Sequence, residues 1–425
     1  YSHAVPIHSP VAPGYLSPAM LVIVGAGAAG LMAAIQAGRR GARVRLLEGS
    51  REAGRKILIS GGGRCNVLPT HLDPTRFVSD SAPHLVKRLL GSWPLAAQRQ
   101  FFEEELRIPL QEESATGKLF PVSNRAREVR DGLLAEARRV GVELVTGVRV
   151  RDISPAGSGW RVEVDGDSLA ADGVILASGG LSVPQTGSDG IGLRIAEQLG
   201  HRVHPTYPAL TPLMADPPVH QALAGISLPV RLVARAGRER LVSEGGFLFT
   251  HRGYSGPAVL DISHLVARPR APSQPGPTVA VEWVGEADRV DWEHRLQERS
   301  ARSVGTLLRE VLPARLADRL LQEAGVDPTR QLTQLRQEEL RALLGRLCRY
   351  PLPCSGDEGY RKAEVTGGGV ALSEVDPATL QSRRNPGLFL AGELLDAFGP
   401  IGGHNFAWAW ATGRSAGLGA AGVIG

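Results

Sequence analysis

The chain has 425 residues, of which 43% are hydrophobic and 21% charged, so it is too long for one hydrophobic core, is not disordered, and predicts two or three domains. Three cysteines and no CxxC exclude a disulfide framework and a zinc knuckle and point to a reducing, cytoplasmic setting, and no stretch is long and apolar enough to span a membrane. The net charge of +5 is spread among alternating acids and bases, so no nucleic-acid partner is expected from it.

Residues 1–20 hold four prolines and little charge and read as a tail. Leu21-Val22-Ile23-Val24 is a β-branched run that flows into Gly25-Ala26-Gly27-Ala28-Ala29-Gly30 and an alanine-rich helix to Arg40. Gly25 permits the turn, Gly27 lets amides near Ala28 and Ala29 approach a pyrophosphate, and Gly30 allows close packing of helix on strand. A second strand, Arg43 to Leu47, ends at Glu48, where a carboxylate accepts from adenosine ribose hydroxyls and repels a 2′-phosphate. Strand, turn, helix, strand and acid in register predict a dinucleotide site.

A basic, glycine-rich extension follows, Gly54-Arg55-Lys56-Ile57-Leu58-Ile59-Ser60-Gly61-Gly62-Gly63-Arg64-Cys65-Asn66. Strands around 142–150 and 160–164 lead to Asp172–Leu176 and the small-residue turn Ala177-Ser178-Gly179-Gly180, and Thr186 to Gly190 opens a helix to Gly200. Five prolines between Pro205 and Pro218 break the pattern, and strand-like runs follow at 230–234, 246–249 and 279–284, around the loop Thr250-His251-Arg252-Gly253-Tyr254-Ser255-Gly256-Pro257. From Asp288 to Cys348 apolar residues recur at helical spacing. Lys362 then precedes Thr366-Gly367-Gly368-Gly369, and Gly387 to Asp396, including Gly392-Glu393, leads through Gly402-Gly403-His404-Asn405 into a helix to Gly417. The chain thus divides into a tail (1–20), the first part of a dinucleotide domain (21–200), an inserted β-rich substrate domain (201–287), a helical subdomain (288–354) and the domain's second part (355–425).

From Leu21 to Gly417 these motifs and their order resemble the HI0933-like, or aminoacetone-oxidase-like, family of NAD(P)/FAD-dependent oxidoreductases. The resemblance implies an α/β fold: a Rossmann-like two-part FAD-binding domain carrying an inserted β-rich, barrel-like domain and a small helical subdomain. It implies FAD as cofactor, with Arg55, Lys56, Gly62, Gly63, Arg64, Cys65 and Asn66 wrapping the flavin end, and Ala177, Ser178, Gly179 and Gly180 forming a second contact. Val148 is placed to touch the adenine, Glu393, after Gly392, to reach the ribityl chain, and Gly402, Gly403, His404 and Asn405 to face the flavin pyrimidine, where a helix N-terminus stabilises negative charge. Thr366, Gly367 and Gly368 resemble a turn that passes beside the isoalloxazine; the alternative is an ordinary hairpin turn.

FAD supplies the redox chemistry, so few side chains need act on substrate. His251 is a candidate general acid, or else orders its loop; His404 suits a neutral hydrogen-bonding role at a helix N-terminus; Lys362 steadies a reduced flavin or an anionic substrate, or is a surface lysine. Cys65 reads as a packing or flavin-contact residue, and no metal site is indicated. No second strand–GxGxxG–helix unit occurs, so NAD(P)H, as a transient reductant, would dock in the substrate cleft. The leading expectation is an FAD-dependent oxidoreductase moving hydride between flavin and a small or medium organic substrate; the alternatives are an RNA-associated flavoprotein, with arginine-rich helices at 295–302 and 336–349, and an FAD-binding protein without turnover.

Overall fold

A computed structural model describes residues 20–424 except 272, 286, 287 and 299; the tail expected over 1–20 lies outside them apart from Met20, which opens the first strand. Five parallel strands form the central sheet, in the order Leu388–Leu390, Gly173–Leu176, Met20–Val24, Arg43–Glu48 and Glu143–Thr146. Leu21, Val22 and Ile23 have no exposed surface, as expected of strands covered on both faces. The helix Ala28–Arg39 and the long C-terminal helix His404–Ile424 pack against each other at this sheet. Their contact is made through backbone: a Cβ at Gly413 would stand 3.0 Å from the Ala29 carbonyl carbon, and one at Gly417 would stand 3.0 Å from that of Ala33.

The chain turns at the carboxyl ends of three adjacent strands. Gly25 N donates to Leu47 O (2.8 Å), Ala177 N to Val24 O (2.9 Å) and Ala391 N to Leu176 O (3.0 Å), so the turns at Gly25, Ala177 and Ala391 open on one crevice, the place where open α/β sheets bind ligands. A small antiparallel sheet of Leu68–Pro69, Lys118–Pro121 and Leu110–Glu113 adds to this half.

Strands Val203–Ala209 and Val365–Val370, paired antiparallel, lead out of this half and back. Between them lies an antiparallel seven-stranded sheet whose order runs from Tyr350–Leu352 to Gly356–Asp357, an open sheet rather than a closed barrel. Its helices, Arg289–Leu296, Val304–Arg309, Ala314–Ala324 and Gln337–Cys348, share its core: Leu320, Leu343 and Leu347 belong to the same buried cluster as Phe247, Phe249 and Trp283. The arginine-rich stretch from 295 is helical only to Leu296, and residue 299 lies outside the description.

Candidate functional site

A cavity of about 540 Å³ opens at the crevice and gathers residues from the Gly25–Gly30, Gly54–Asn66, Ala177–Gly180 and Gly402–Asn405 motifs. Its size falls in the range of small-molecule and cofactor sites. At one end stand Gly25, Gly27, Ala28, Ala29 and Glu48, beside Val148. Gly25 has φ +98°, and a Cβ there would lie 2.6 Å from the Ala177 carbonyl oxygen; Gly27 has nothing within 4 Å of its Cβ position, so its open side is the cavity itself. Gly30 is not in the wall: it lies under the turn, against the Gly25 carbonyl. Glu48 is buried and holds the turn in place, accepting from Ala26 N (2.9 Å) and Ser50 N (2.8 Å).

The flanking wall comes from Arg55, Lys56, Gly62, Arg64 and Asn66, and from Ala177, Ser178 and Gly179. Gly61, Gly62 and Gly63 all have positive φ, a run that favours glycine and bends the loop around the cavity. Gly63, which is exposed, and Cys65 and Gly180, which are buried, are not in this surface. Cys65 is fully buried, and burial pushes its thiol up to about 12, which leaves it inert rather than a redox thiol.

Glu393 joins segments far apart in sequence. Its Oε1 accepts from Thr366 N (3.0 Å), Thr366 Oγ1 (2.9 Å) and Ser182 Oγ (2.5 Å), while Lys56 Nζ donates to Oε2 (2.5 Å). Thr366, Gly367, Gly368 and Gly392 are therefore near the site but not in its wall. The glycines at 367 and 368 serve packing: a Cβ at Gly367 would be driven into the Tyr207 ring, and one at Gly368 would meet the Pro205 carbonyl.

At the far end Gly402, Gly403 and Asn405 line the cavity at the N-terminus of the C-terminal helix. A Cβ at Gly403 would lie 2.5 Å from the Leu68 carbonyl carbon and 2.9 Å from Asn66 Oδ1. His404 points away from the cavity, against the Phe77 ring at 6.1 Å between centroids. Burial, helped by the charges of Arg76 and His71, lowers its pKa to about 4, so the ring is neutral.

The structure does not bring His251 or Lys362 to the cavity. His251 is exposed in the turn after the strand Glu239–Phe249, and Lys362 is exposed ahead of Val365. The glycines of the His251 loop answer a different need: at Gly253 a Cβ would meet the Leu213 backbone, and at Gly256 it would lie 3.1 Å from the Gly246 carbonyl carbon. Tyr254 of that loop is buried, its hydroxyl 2.8 Å from His220 Nδ1. Residues that the sequence reading passed over complete the wall: Lys118, Arg149, Glu364, Phe398 and Ile401. Among the described residues, no cluster of His, Cys, Asp or Glu could hold a metal ion, and no helix is long and apolar enough to cross a membrane.

The residues fit FAD. Ser178 Oγ and Asn66 Oδ1 are buried, line the cavity and have no hydrogen-bond partner in the protein, as expected of groups that a polar ligand satisfies. The helix Ala28–Arg39 begins at the Gly27 turn, which suits a pyrophosphate.

His264 and His404 set an acid limit on stability. Both are 5% exposed, both have pKa values lowered to about 4 by burial, and neither Nδ1 has a partner. Unfolded, each titrates near 6.5, so between about pH 6.5 and pH 4 the unfolded chain binds protons that the folded one refuses. Each histidine then subtracts up to about 1.4 kcal/mol per pH unit as the pH falls through that window, and nothing above it. Thermal melts of His264→Asn and His404→Asn between pH 7 and 5 are expected to show a shallower loss than the parent protein.

The HI0933-like protein Rossmann domain model matches residues 19–419. A ribosomal RNA dihydrouridine synthase of Escherichia coli (strain K12) is 36% identical, covering 92% of this chain and 95% of its own. A 3-dehydro-bile acid delta(4,6)-reductase of Clostridium scindens is 33% identical over 94% of this chain and 98% of its own. Among solved structures, a flavocytochrome c3 fumarate reductase in its open conformation superposes with a TM-score of 0.50 at 17% identity, covering 97% of this chain and 79% of that one, a likeness of fold.

Proposed function

Since this chain belongs to the HI0933-like family, and is thereby an FAD-dependent oxidoreductase, we propose that it saturates a carbon–carbon double bond conjugated to a carbonyl group in a small or medium organic molecule. The observation that carries the reading is the lining of the cavity: besides the residues suited to FAD it includes Lys118, Glu364, Phe398 and Ile401, which come from outside the nucleotide-binding motifs and are the side chains we assign to substrate. Both relatives are named for such a change, one giving dihydrouridine and the other reducing a delta(4,6) bile acid.

FAD, when bound, supplies the hydride. The chain's residues bind and orient: the Gly25–Gly27 turn and the amides of Ala28 and Ala29 hold the pyrophosphate, Glu48 the ribose, Glu393 the ribityl hydroxyls. The helix end at Gly402–Asn405 would hold the ring, and its partial positive charge would favour negative charge on the reduced form. NAD(P)H is the proposed donor, docking in the same cleft that substrate later occupies.

Anaerobic titration with NADPH or NADH is expected to bleach the flavin, and cyclohex-2-en-1-one to restore its colour with one saturated ketone formed per flavin. A second reading, that the double bond is presented by RNA, is favoured by Arg55, Arg64 and Arg149 in the cavity wall and by the relative acting on ribosomal RNA. Recovery of colour with uridine-containing RNA and not with the enone selects it. If neither restores colour, both readings fail.

A further inference from the structure

Two ionisable groups of opposite sign face the cavity from elements that belong to neither the phosphate-binding turn nor the ring-facing helix end. Lys118 stands at the start of the strand Lys118–Pro121, and Glu364 just before the strand Val365–Val370. Among the described residues, neither the Lys118 ammonium nor the Glu364 carboxyl has a hydrogen bond or ion pair within the protein. The charge of Lys118 favours the ionised form of Glu364, but the two do not meet. Lys118 is half-buried and Glu364 exposed, and both line the cavity, so a ligand seated there meets an ammonium and a carboxyl that no protein group has claimed, one to donate to its oxygen and one to give it a proton.

Resting on the reading above, we propose that Lys118 and Glu364 are the catalytic pair for substrate, Lys118 holding the carbonyl oxygen and Glu364 delivering the proton to the adjacent carbon. A hydride arriving at the β carbon pushes the electron pair of the double bond through the α carbon onto the carbonyl oxygen, and the ammonium of Lys118 stabilises the enolate so formed. The α carbon then takes the proton of the Glu364 carboxyl, the carbonyl is restored, and the carboxylate left behind is reprotonated from water. The reductant is the reduced flavin, and the net change is the addition of H⁻ and H⁺ across the double bond.

The surroundings of Glu364 suit an acid. Its side chain is exposed and lines the cavity, and the protein packed around it raises its proton affinity. Asp261, on the helix Pro257–Ile262, raises it further, while Lys118 and Lys56 oppose the rise. Asp261 is engaged elsewhere, accepting from Ile401 N at 2.8 Å. Lys118 Cε lies 3.6 Å from where a Cβ on Gly402 would stand, so the ammonium stem runs beside the helix end that would hold the ring.

The test uses the FAD-loaded protein with p-chlorophenol, whose phenolate mimics an enolate, and cyclohex-2-en-1-one. With the parent protein, p-chlorophenol is expected to give a long-wavelength absorption band and a dissociation constant that tightens as the phenol ionises. Lys118→Met is expected to weaken it at least tenfold and to raise the pH midpoint of the band, with FAD retained. Glu364→Gln is expected to bind p-chlorophenol and FAD as before, to be bleached by NAD(P)H as before, and to lose at least a hundredfold in the enone-dependent return of colour; in D2O the parent places deuterium on one face of the α carbon. Unaltered phenolate binding by Lys118→Met, or unaltered reoxidation of Glu364→Gln, overturns the proposal, as does loss of FAD affinity in both variants, which would make the pair a flavin anchor. A parent protein that neither binds the phenolate nor is reoxidised by enone removes the reading itself, and the proposal with it.

Discussion

Gly30→Ala is expected to destabilise the nucleotide half, whereas Gly27→Ala, three residues earlier, is expected to leave the unliganded fold intact and weaken FAD. Both replacements put the same methyl group on the same turn, and helix propensity alone would favour alanine by about 1 kcal/mol at position 30. Geometry reverses the sign there. A Cβ at Gly30 lies 3.0 Å from the Gly25 carbonyl carbon and closer still to its oxygen. Neither is a flexible side-chain tip that can swing away. Gly25 cannot retreat, because its amide donates to Leu47 O at 2.8 Å and its own Cβ position is hemmed by the Ala177 carbonyl. Relief requires the helix to leave the sheet, at a cost of about 3 kcal/mol or more, several times the propensity gain. At Gly27 nothing lies within 4 Å, so the methyl enters only the cavity. Thermal melts without FAD should therefore separate the two variants by several degrees, with Gly27→Ala matching the parent. Flavin retained after gel filtration should be low in both, with affinity of Gly27→Ala reduced about tenfold, equivalent to about 1.4 kcal/mol. Equal melting temperatures for the two variants would contradict the steric account.

What could be read from the sequence divides along physical lines. The parallel strands and the turns at Gly25, Gly61–Gly63, Ala177 and Gly402 were legible because each couples a local backbone requirement to a contiguous run of residues. Glu48 was legible for the same reason, being fixed in register with its own strand. Lys118 and Glu364 were not. They come from segments more than two hundred residues apart, Lys118 in no patterned run and Glu364 between Lys362 and Thr366, where the glycines and not the acid drew the reading, and only the pairing of Leu68–Pro69 with Lys118–Pro121 and of Val203–Ala209 with Val365–Val370 brings them to one wall. The His251 loop misled in the opposite way. Its glycines resemble those of a ring-facing loop, yet Gly253 and Gly256 answer the close packing of Leu213 and Gly246 within the inserted sheet. A glycine reports a close approach without saying what approaches. The same ambiguity explains Gly367 and Gly368, whose neighbours are Tyr207 and Pro205.

Small residues on the C-terminal helix pose the corresponding question, and here the answer carries the last large effect. Gly413 and Gly417 lie one turn apart, and their bare Cα atoms rest on the carbonyls of Ala29 and Ala33 of the helix Ala28–Arg39. In isolation, alanine at both positions would strengthen the helix by about 2 kcal/mol. In this fold each new Cβ meets the backbone of a second helix, and the two collisions add along a single line, so the helices must separate by about the width of a methyl group. The expected cost, about 3 kcal/mol or more, exceeds the propensity gain. The consequence reaches the site, since the first of these helices begins at the phosphate-facing turn and the second begins at Gly402–Asn405. Parting them moves the two ends of the cavity relative to one another. Gly413→Ala/Gly417→Ala should accordingly lose flavin and melt lower together. A control on the same helix, Gly422→Ala, has nothing within 4 Å of its Cβ position and should be neutral or slightly stabilising. If the double variant instead matched that control, propensity rather than interhelical contact would govern this interface.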